Sequence, residues 1–240
     1  MKCTHVYTPA QARPHPRRRA TLRPVRILEL DTWPRRHHFD LFRTYTQPDF
    51  NVTAPVDVTA FHAHVRERGA PFMVATTYVL ARAANEYQPF RWRIRGEQVV
   101  EHDVVHPSVT AAEEHDDLFR FCALPYSPHA STFLSGAADA LRASREQPHV
   151  RITPGQDELL YLSSLPWLAF TGITHAQSLT PPDSIPRLTT GRFTPQNGRL
   201  TMPLSVQVHH ALMDGRHVAE YFARVQTLLD DPTLLDHGPA

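Results

Sequence analysis

Apolar residues recur at helical spacing in five segments of the chain. The pattern predicts a short helix over Arg35–Tyr45 and a second helix that Asp57 caps and Gly69 ends. Pro71 stands where it can open a longer third helix. A fourth helix is predicted over Ser131–Gln147. A final helix is predicted to bury one face, made of Val218, Phe222, Val225 and Leu229.

Strand-like segments separate these helices. Arg91–Arg95 and Gln98–Val104 flank a turn at Gly96, and Leu118–Leu124 alternates in the manner of a strand. Another strand, Glu158–Ser164, follows a Pro-Gly pair.

The clearest sheet signal lies near the C-terminus. Leu188–Thr194 and Leu200–Val208 are joined across Asn197-Gly198, a pair that favours a tight hairpin turn. Pro203 has no amide hydrogen, so we expect it at a sheet edge or a bulge. Helices mixed with antiparallel strands predict an α+β fold rather than a doubly wound parallel sheet.

The length of 240 residues favours a single domain, and no Gly/Ser-rich linker or repeat divides the chain. Residues 1–28 carry seven basic side chains and no acidic one. We therefore expect residues 1–27 to be a basic, disordered leader and residues 28–240 to form a single domain. No run of about 18 apolar residues is present, so we expect no membrane-spanning helix.

The charge of the remaining chain excludes one class of partner. Residues 29–240 hold 18 basic and 24 acidic side chains, and this acidic balance argues against nucleic acid as a partner. The two cysteines, Cys3 and Cys122, are too few for a disulfide framework, so a cytoplasmic location is expected.

The candidate chemistry lies between the last strand and the last helix, in the string VQVHHALMDG (206–215). A neutral imidazole can act as a general base near pH 7. Strand alternation turns His209 and His210 to opposite faces, so one site can use only one of them. An Asp four residues later can orient the base or hold the loop, but this spacing alone is weak because the chain has 16 histidines.

The full string resembles the HHxxxDG signature of the trimeric chloramphenicol acetyltransferases. Further matches occur in the same order along residues 28–235: TWPRRHHFDLF (32–42), VHPSVTAAEEHDDLFRFCALPYS (105–127), SSLPW (163–167) and RLTMPLSVQVHH (199–210). The acyltransferase cores of 2-oxoacid dehydrogenase complexes carry a similar motif, but the chain lacks their lipoyl domain and linker. The resemblance implies a two-layer α/β sandwich with a mixed, largely antiparallel sheet.

The resemblance also implies roles for individual residues. His210 corresponds to the general base that takes a proton from the acceptor hydroxyl, which then attacks acetyl-CoA. Ser163 corresponds to the serine whose hydroxyl donates to the oxyanion, and a shift of one residue would put Ser164 in its place. Thr189 corresponds to a threonine that helps hold the intermediate through water. Asp214 and Arg35 correspond to an ion pair that supports the site.

Positions that line the acceptor and cofactor sites follow from the same resemblance. Leu41, Phe42, Phe119 and Phe121 correspond to the walls of the chloramphenicol pocket, and Arg192 and Phe193 to positions near CoA. Thr46, Pro48 and the acidic segment 111–117 depart from the family pattern. These departures leave the acceptor open.

The resemblance implies a homotrimer in which His210 of one chain faces a pocket built largely by its neighbour. The co-substrate would be acetyl-CoA, without a metal, because the adjacent histidine pairs point apart and no metal motif completes a site. Two alternatives to chloramphenicol O-acetyl transfer stay open. One is the same acetyl transfer to a different hydroxyl or thiol, and the other is a non-catalytic protein that sequesters a ligand.

Overall fold

The computed structural model describes residues 25–112, 118–146, 153–178 and 183–236. Within these ranges the chain forms five α-helices and ten strands. The helices are α1 (Arg36–Phe42), α2 (Thr59–Glu67), α3 (Phe72–Glu86), α4 (Ala130–Ser144) and α5 (Gly215–Asp230). The strands are β1 (Arg26–Ile27), β2 (Asp49–Asp57), β3 (Trp92–Arg95), β4 (Gln98–Glu101), β5 (His106–Ala112), β6 (Phe119–Ala123), β7 (Leu159–Leu165), β8 (Arg187–Gly191), β9 (Thr194–Gln196) and β10 (Arg199–His209).

The main sheet has the strand order β2-β10-β8-β7-β5-β6, and β9 also pairs with β10. The β5/β7 and β7/β8 pairs are parallel, whereas the other pairs are antiparallel. Helices α3, α4 and α5 pack together and against one face of this sheet. The predicted α+β sandwich with a mixed, largely antiparallel sheet is confirmed.

The buried face of the sheet follows from period-2 alternation along β10, its longest strand. Met202, Leu204, Val206 and Val208 of β10 are at most 2% exposed and join the core shared with the helices. Intervening β10 residues therefore face the other side of the sheet, away from the helices. Helix α3 is buried from Val74 to Ala84 on nearly all sides, because sheet and helices enclose it.

A second sheet of three strands, β1-β4-β3, lies beside the main one. Arg26 and Ile27, assigned to the leader from sequence, pair here with Glu101 and Val100 of β4. The folded part thus begins before residue 28, because backbone pairing and the Arg26–Glu101 ion pair hold this segment.

One buried arginine ties the two sheets together. The Arg93 guanidinium is fully buried, and it donates hydrogen bonds to the backbone carbonyls of Phe90, Trp92, Asp157 and Leu159. Burial lowers the pKa of Arg93 to about 10. The charge is accommodated because carbonyl oxygens satisfy its donors.

Several local predictions need correction. Strands β2 and β5 were not predicted, because Pro55 and Pro107 interrupt their alternation. Tyr221, not Phe222, is the fully buried aromatic of α5; its ring stacks on Phe90 with centroids 4.0 Å apart. Asp57 accepts from the amide and hydroxyl of Thr59, but the N-cap position of α2 is Val58.

The hairpin around Pro203 also differs from expectation. Asn197 and Gly198 both have positive φ (51° and 75°), as a tight hairpin turn requires, and join β9 to β10. Strand β10 is internal, so the edge position is excluded, but the expected bulge agrees with the strand pairing. Between the β8 and β9 pairings, Met202 and Pro203 of β10 lie opposite the three residues 191–193, one residue more than on β10.

Gly191 is tightly enclosed, and we predict that Gly191→Ala destabilises the protein. A Cβ there would lie 2.5 Å from Pro203 Cγ and 2.7 Å from the Leu168 carbonyl oxygen. Crowding of this kind costs about 1–3 kcal/mol of unfolding free energy, measurable by urea denaturation. The matched control is Gly136→Ala within α4, where no atom lies within 4 Å. This change should raise the free energy of unfolding by about 0.5–1 kcal/mol. Equal effects of the two variants would contradict the crowding at Gly191.

Candidate active site

His210 lies in the turn between β10 and α5. Its backbone amide donates to the Pro48 carbonyl at 2.8 Å, which fixes the start of the turn against the chain entering β2. Its ring Nδ1 lies 3.1 Å from the Met213 carbonyl oxygen. A carbonyl can only accept, so Nδ1 must carry the proton of the neutral ring. Nε2 is then the nitrogen with a free lone pair, as a general base requires.

Two aromatic rings fix the plane of this imidazole. Phe42 stacks on His210 with centroids 3.9 Å apart and an interplanar angle of 6°. Phe50 of β2 packs at 4.8 Å in a tilted arrangement. Phe42 was predicted to line the acceptor pocket, and the structure places it against His210 of its own chain.

His209 has a different environment from His210. It is 2% exposed, and its Nδ1 accepts from the Ala211 amide at 3.2 Å. Burial lowers the pKa of His209 to about 4, and the neighbouring His210 adds to this effect. The charge of Asp183 raises the pKa but does not offset the burial. His209 is therefore a neutral residue of the sheet face, and its Nδ1 lone pair is occupied.

Arg35 and Asp214, predicted to pair, lie in contact. The Arg35 guanidinium donates to Asp214 Oδ2 at 2.6 Å and to the His210 carbonyl at 3.3 Å. Asp214 also caps α5 by accepting from the amides of Arg216 and His217. Burial alone would raise the pKa of Asp214, but the hydrogen bonds from Arg35 and His217 and their charges hold it well below its usual range. This carboxylate stays ionised. Through Arg35 it is linked to the His210 carbonyl at the other end of the turn.

Ser163 and Thr189 are neighbours on parallel strands. Ser163 of β7 is in register with Thr189 of β8, and Thr189 with Ser205 of β10. All three lie on the sheet face opposite the helices, because the alternate β7 residues Leu160 and Leu162 belong to the core. Ser164 faces the helix side, so the register favours Ser163 as the partner of Thr189.

The remaining predicted residues lie at separate places. Leu41 on α1 is 52% exposed, close in sequence to Phe42. Phe119 and Phe121 contact each other on β6, the opposite edge of the sheet from β2, with centroids 5.4 Å apart. Among the departures from the family pattern, Thr46 is exposed and Pro48 is buried, and segment 113–117 lies outside the described residues.

Arg192 and Phe193 follow the end of β8. The Arg192 amide donates to the Leu168 carbonyl at 2.9 Å, and the residue itself is exposed. The Phe193 ring packs against His62 and Phe72, with centroids 4.7 and 5.5 Å away. The exposed guanidinium is free to meet an anionic ligand, whereas the Phe193 ring already belongs to an aromatic cluster.

The predicted residues form two groups that one chain does not unite. His210 stands five residues beyond Ser205 along β10, and Ser163 lies two strands away in the row of Ser205. At about 3.3 Å per residue and 4.8 Å per strand, the two side chains are roughly 15–20 Å apart. The base group (His210, Phe42, Phe50, Arg35 and Asp214) is therefore separate from the oxyanion group (Ser163 and Thr189).

Sequence reasoning missed two residues beside these groups. Phe50 reaches His210 only through the β2/β10 pairing. His175, between β7 and β8, places its Nε2 2.6 Å from Thr189 Oγ1. Neither residue belongs to a sequence motif, so no local signal indicated them.

The described residues contain neither a metal-binding group nor a helix that could span a membrane. In ranges 25–112, 118–146, 153–178 and 183–236, no three His, Cys, Asp or Glu side chains are grouped to hold a metal ion. No helix within the same ranges has the length and apolarity needed to cross a bilayer.

The sheet topology and the His210 turn define an acyltransferase of the two-layer α/β class. The family model described as Chloramphenicol acetyltransferase matches residues 25–226. The chain belongs to this family.

Individual relatives agree with the family match. The chain is 38% identical to a chloramphenicol acetyltransferase of Streptomyces acrimycini over 214 residues, which cover 87% of this chain and 96% of that protein. It is 30% identical to chloramphenicol acetyltransferase 2 of Escherichia coli, over 85% of this chain and 96% of that protein.

Solved structures also match. A chloramphenicol acetyltransferase, 27% identical, superposes with a TM-score of 0.77 over 86% of this chain and all of that chain. The cubic core of the pyruvate dehydrogenase multienzyme complex, 19% identical, matches with a TM-score of 0.58 over 78% of this chain and 84% of that chain. This second match shows the shared fold.

The contacts of Asp214 predict that its charge and its cap contribute separately. Asp214→Asn keeps an oxygen for the α5 cap but loses the ion pair with Arg35, whereas Asp214→Ala loses both. A lost cap costs about 1 kcal/mol, so the melting temperature of the Ala variant should fall about 2–4 °C below that of the Asn variant. Arg35→Ala should lower both stability and activity. Thermal unfolding of all three variants is the measurement, and wild-type melting of Arg35→Ala would contradict the pairing.

Proposed function

We propose that the protein transfers the acetyl group of acetyl-CoA to the 3-hydroxyl of chloramphenicol and so confers resistance to this antibiotic. One observation carries the proposal: the Met213 carbonyl fixes the tautomer of His210, leaving Nε2 able to accept a proton. Membership of the chloramphenicol acetyltransferase family supports the choice of acceptor.

The proposed reaction uses His210 twice. Nε2 takes the proton from the acceptor hydroxyl while the hydroxyl oxygen forms a bond to the thioester carbonyl carbon. The tetrahedral intermediate then breaks its carbon–sulfur bond, and the imidazolium returns the proton to the leaving thiolate of CoA. A positioned general base supplies about 10²–10⁴-fold of rate.

The oxyanion group serves the intermediate in this proposal. The Ser163 hydroxyl donates to the developing oxyanion, and Thr189 helps to hold the intermediate through water. One such donor contributes about 10²–10³-fold. Arg35 and Asp214 do not meet the substrate; they keep the His210 turn in place through the contacts described above.

The substrates are assigned to separate regions. We assign the exposed guanidinium of Arg192 to a phosphate of CoA, because arginine pairs well with phosphate groups. Phe193 supports that region by packing on His62 and Phe72. The acceptor lies against Leu41, Phe42, Phe119 and Phe121. No metal takes part in the proposed steps, and we place the reaction in the cytoplasm, where acetyl-CoA is made.

The separation of the two groups supports a site between subunits. Leu41, Phe42 and His210 lie near the β2 edge of the sheet, and Phe119 and Phe121 lie on the opposite edge. A contact that joins the base group of one copy to the oxyanion group of the next is heterologous, and a heterologous contact whose rotation closes forms a ring. We propose a homotrimer with three equivalent sites.

The acetyl-transfer proposal predicts that His210→Ala loses at least about 10²-fold of kcat, because the general base is removed. The measurement is release of CoA thiol with acetyl-CoA and chloramphenicol. The control is His129→Ala, an exposed histidine that should retain wild-type turnover. Full activity of the His210 variant would refute the assignment of the base. If thiol release by the wild-type enzyme depended on another alcohol and not on chloramphenicol, the assignment of chloramphenicol as the acceptor would be wrong.

The intersubunit site predicts complementation between two inactive variants. In trimers assembled at random from His210→Ala and Ser163→Ala chains, about one quarter of the sites contain both His210 and Ser163. Refolding the mixed chains together should therefore restore up to about one quarter of wild-type turnover. Each variant refolded alone is the control, and mixed trimers no more active than these controls would place both residues in one chain.

A further inference from the structure

His175 lies in the segment between β7 and β8 and contacts the face of the sheet that the helices leave open. Its ring Nε2 is 2.6 Å from Thr189 Oγ1, a short hydrogen bond. Its backbone amide donates to Gln207 Oε1 on β10 at 2.9 Å. The backbone of His175 is thus tied to β10, and its side chain contacts β8 at the row that contains Ser163, Thr189 and Ser205.

The contact limits what the Thr189 hydroxyl can do. Thr189 is 0% exposed, so its hydroxyl must find its partners among buried groups. A threonine hydroxyl has one proton to donate and lone pairs to accept with. If Thr189 donated its proton to His175, none would remain for the reacting groups. If His175 donates from Nε2, the proton of Thr189 stays available.

We propose that His175 is a positioning residue that donates from Nε2 to Thr189 Oγ1 and thereby directs the threonine proton toward the acyl-transfer intermediate. The inference rests on the proposed function and adds to it a residue that the sequence motifs do not contain. His175 acts through Thr189 and does not itself meet the acetyl group.

The surroundings favour a neutral imidazole in this role. Burial, and next the positive charge of Arg187, lower the pKa of His175. A neutral ring has a proton on only one nitrogen, and a donor bond from Nε2 selects that tautomer. The hydrogen bond therefore orients Thr189 without adding a full positive charge beside it.

The test begins with two substitutions at the same position. His175→Leu keeps an apolar side chain in the space but removes the donor, and kcat should fall about tenfold, the effect of losing one such hydrogen bond. The KM values for both substrates should change less than about threefold, because no substrate contact is removed. His175→Gln carries an amide donor that reaches the same distance, and it should recover most of kcat. Both variants keep the backbone bond to Gln207.

A double-mutant cycle separates this role from a general loss of structure. Thr189→Val removes only the hydroxyl, and His175→Leu should then lower kcat no further in the Thr189→Val background. The matched control is His102→Leu, a buried histidine that pairs with Asp157 beside the small sheet. This control should lower the melting temperature and leave kcat unchanged.

The outcomes distinguish the inference from the function on which it rests. Equal or higher kcat in His175→Leu would mean that Thr189 donates to His175, and additive losses in the cycle would mean that His175 does not act through Thr189. Either result overturns the inference while the wild-type enzyme still acetylates chloramphenicol. If the wild-type protein acetylates another alcohol, the same double-mutant cycle is measured with that alcohol. Absence of any acetyl transfer by wild type would overturn both proposals.

Discussion

The position of His210 depends on one guanidinium that joins three parts of the chain. Arg35 precedes α1, yet it contacts Asp214 at the start of α5 and the carbonyl of His210 at the end of β10. Its side chain is only 11% exposed, so the charge must be matched by these partners. An unpaired charge at such a place costs several kcal/mol. The turn geometry, the α5 cap and the orientation of the imidazole are therefore determined together.

The sequence was most informative where a repeating pattern coincided with the buried face. All five helices were predicted, because burial of one helix face selects apolar residues at helical spacing. The turn at Asn197-Gly198 was predicted because few residues accept positive φ at two successive positions. Strands β2 and β5 were not predicted because proline interrupts each of them. Only the strand pairing shows at which positions a strand needs no backbone amide hydrogen.

The site residues also divide into those that the sequence indicates and those that only the structure shows. The HHxxxDG string singles out His210 and Asp214 because they lie close together in the chain. The choice between Ser163 and Ser164 needs the β7/β8 register, since adjacent strand residues face opposite sides. His175 and Phe50 reach the site through tertiary contacts alone. A loop histidine has no periodicity by which a sequence could indicate its partner.

The buried His209 sets an acid limit on the fold that contains the motif. Its pKa is about 4 in the folded protein, against about 6.5 in an unfolded chain. Below pH 6.5 the unfolded chain takes up a proton that the folded protein excludes, so folding weakens as the pH falls toward 4. Protonation of His209 would place a charge inside the sheet beside the residues of the motif, so acid acts on this strand as an agent of denaturation.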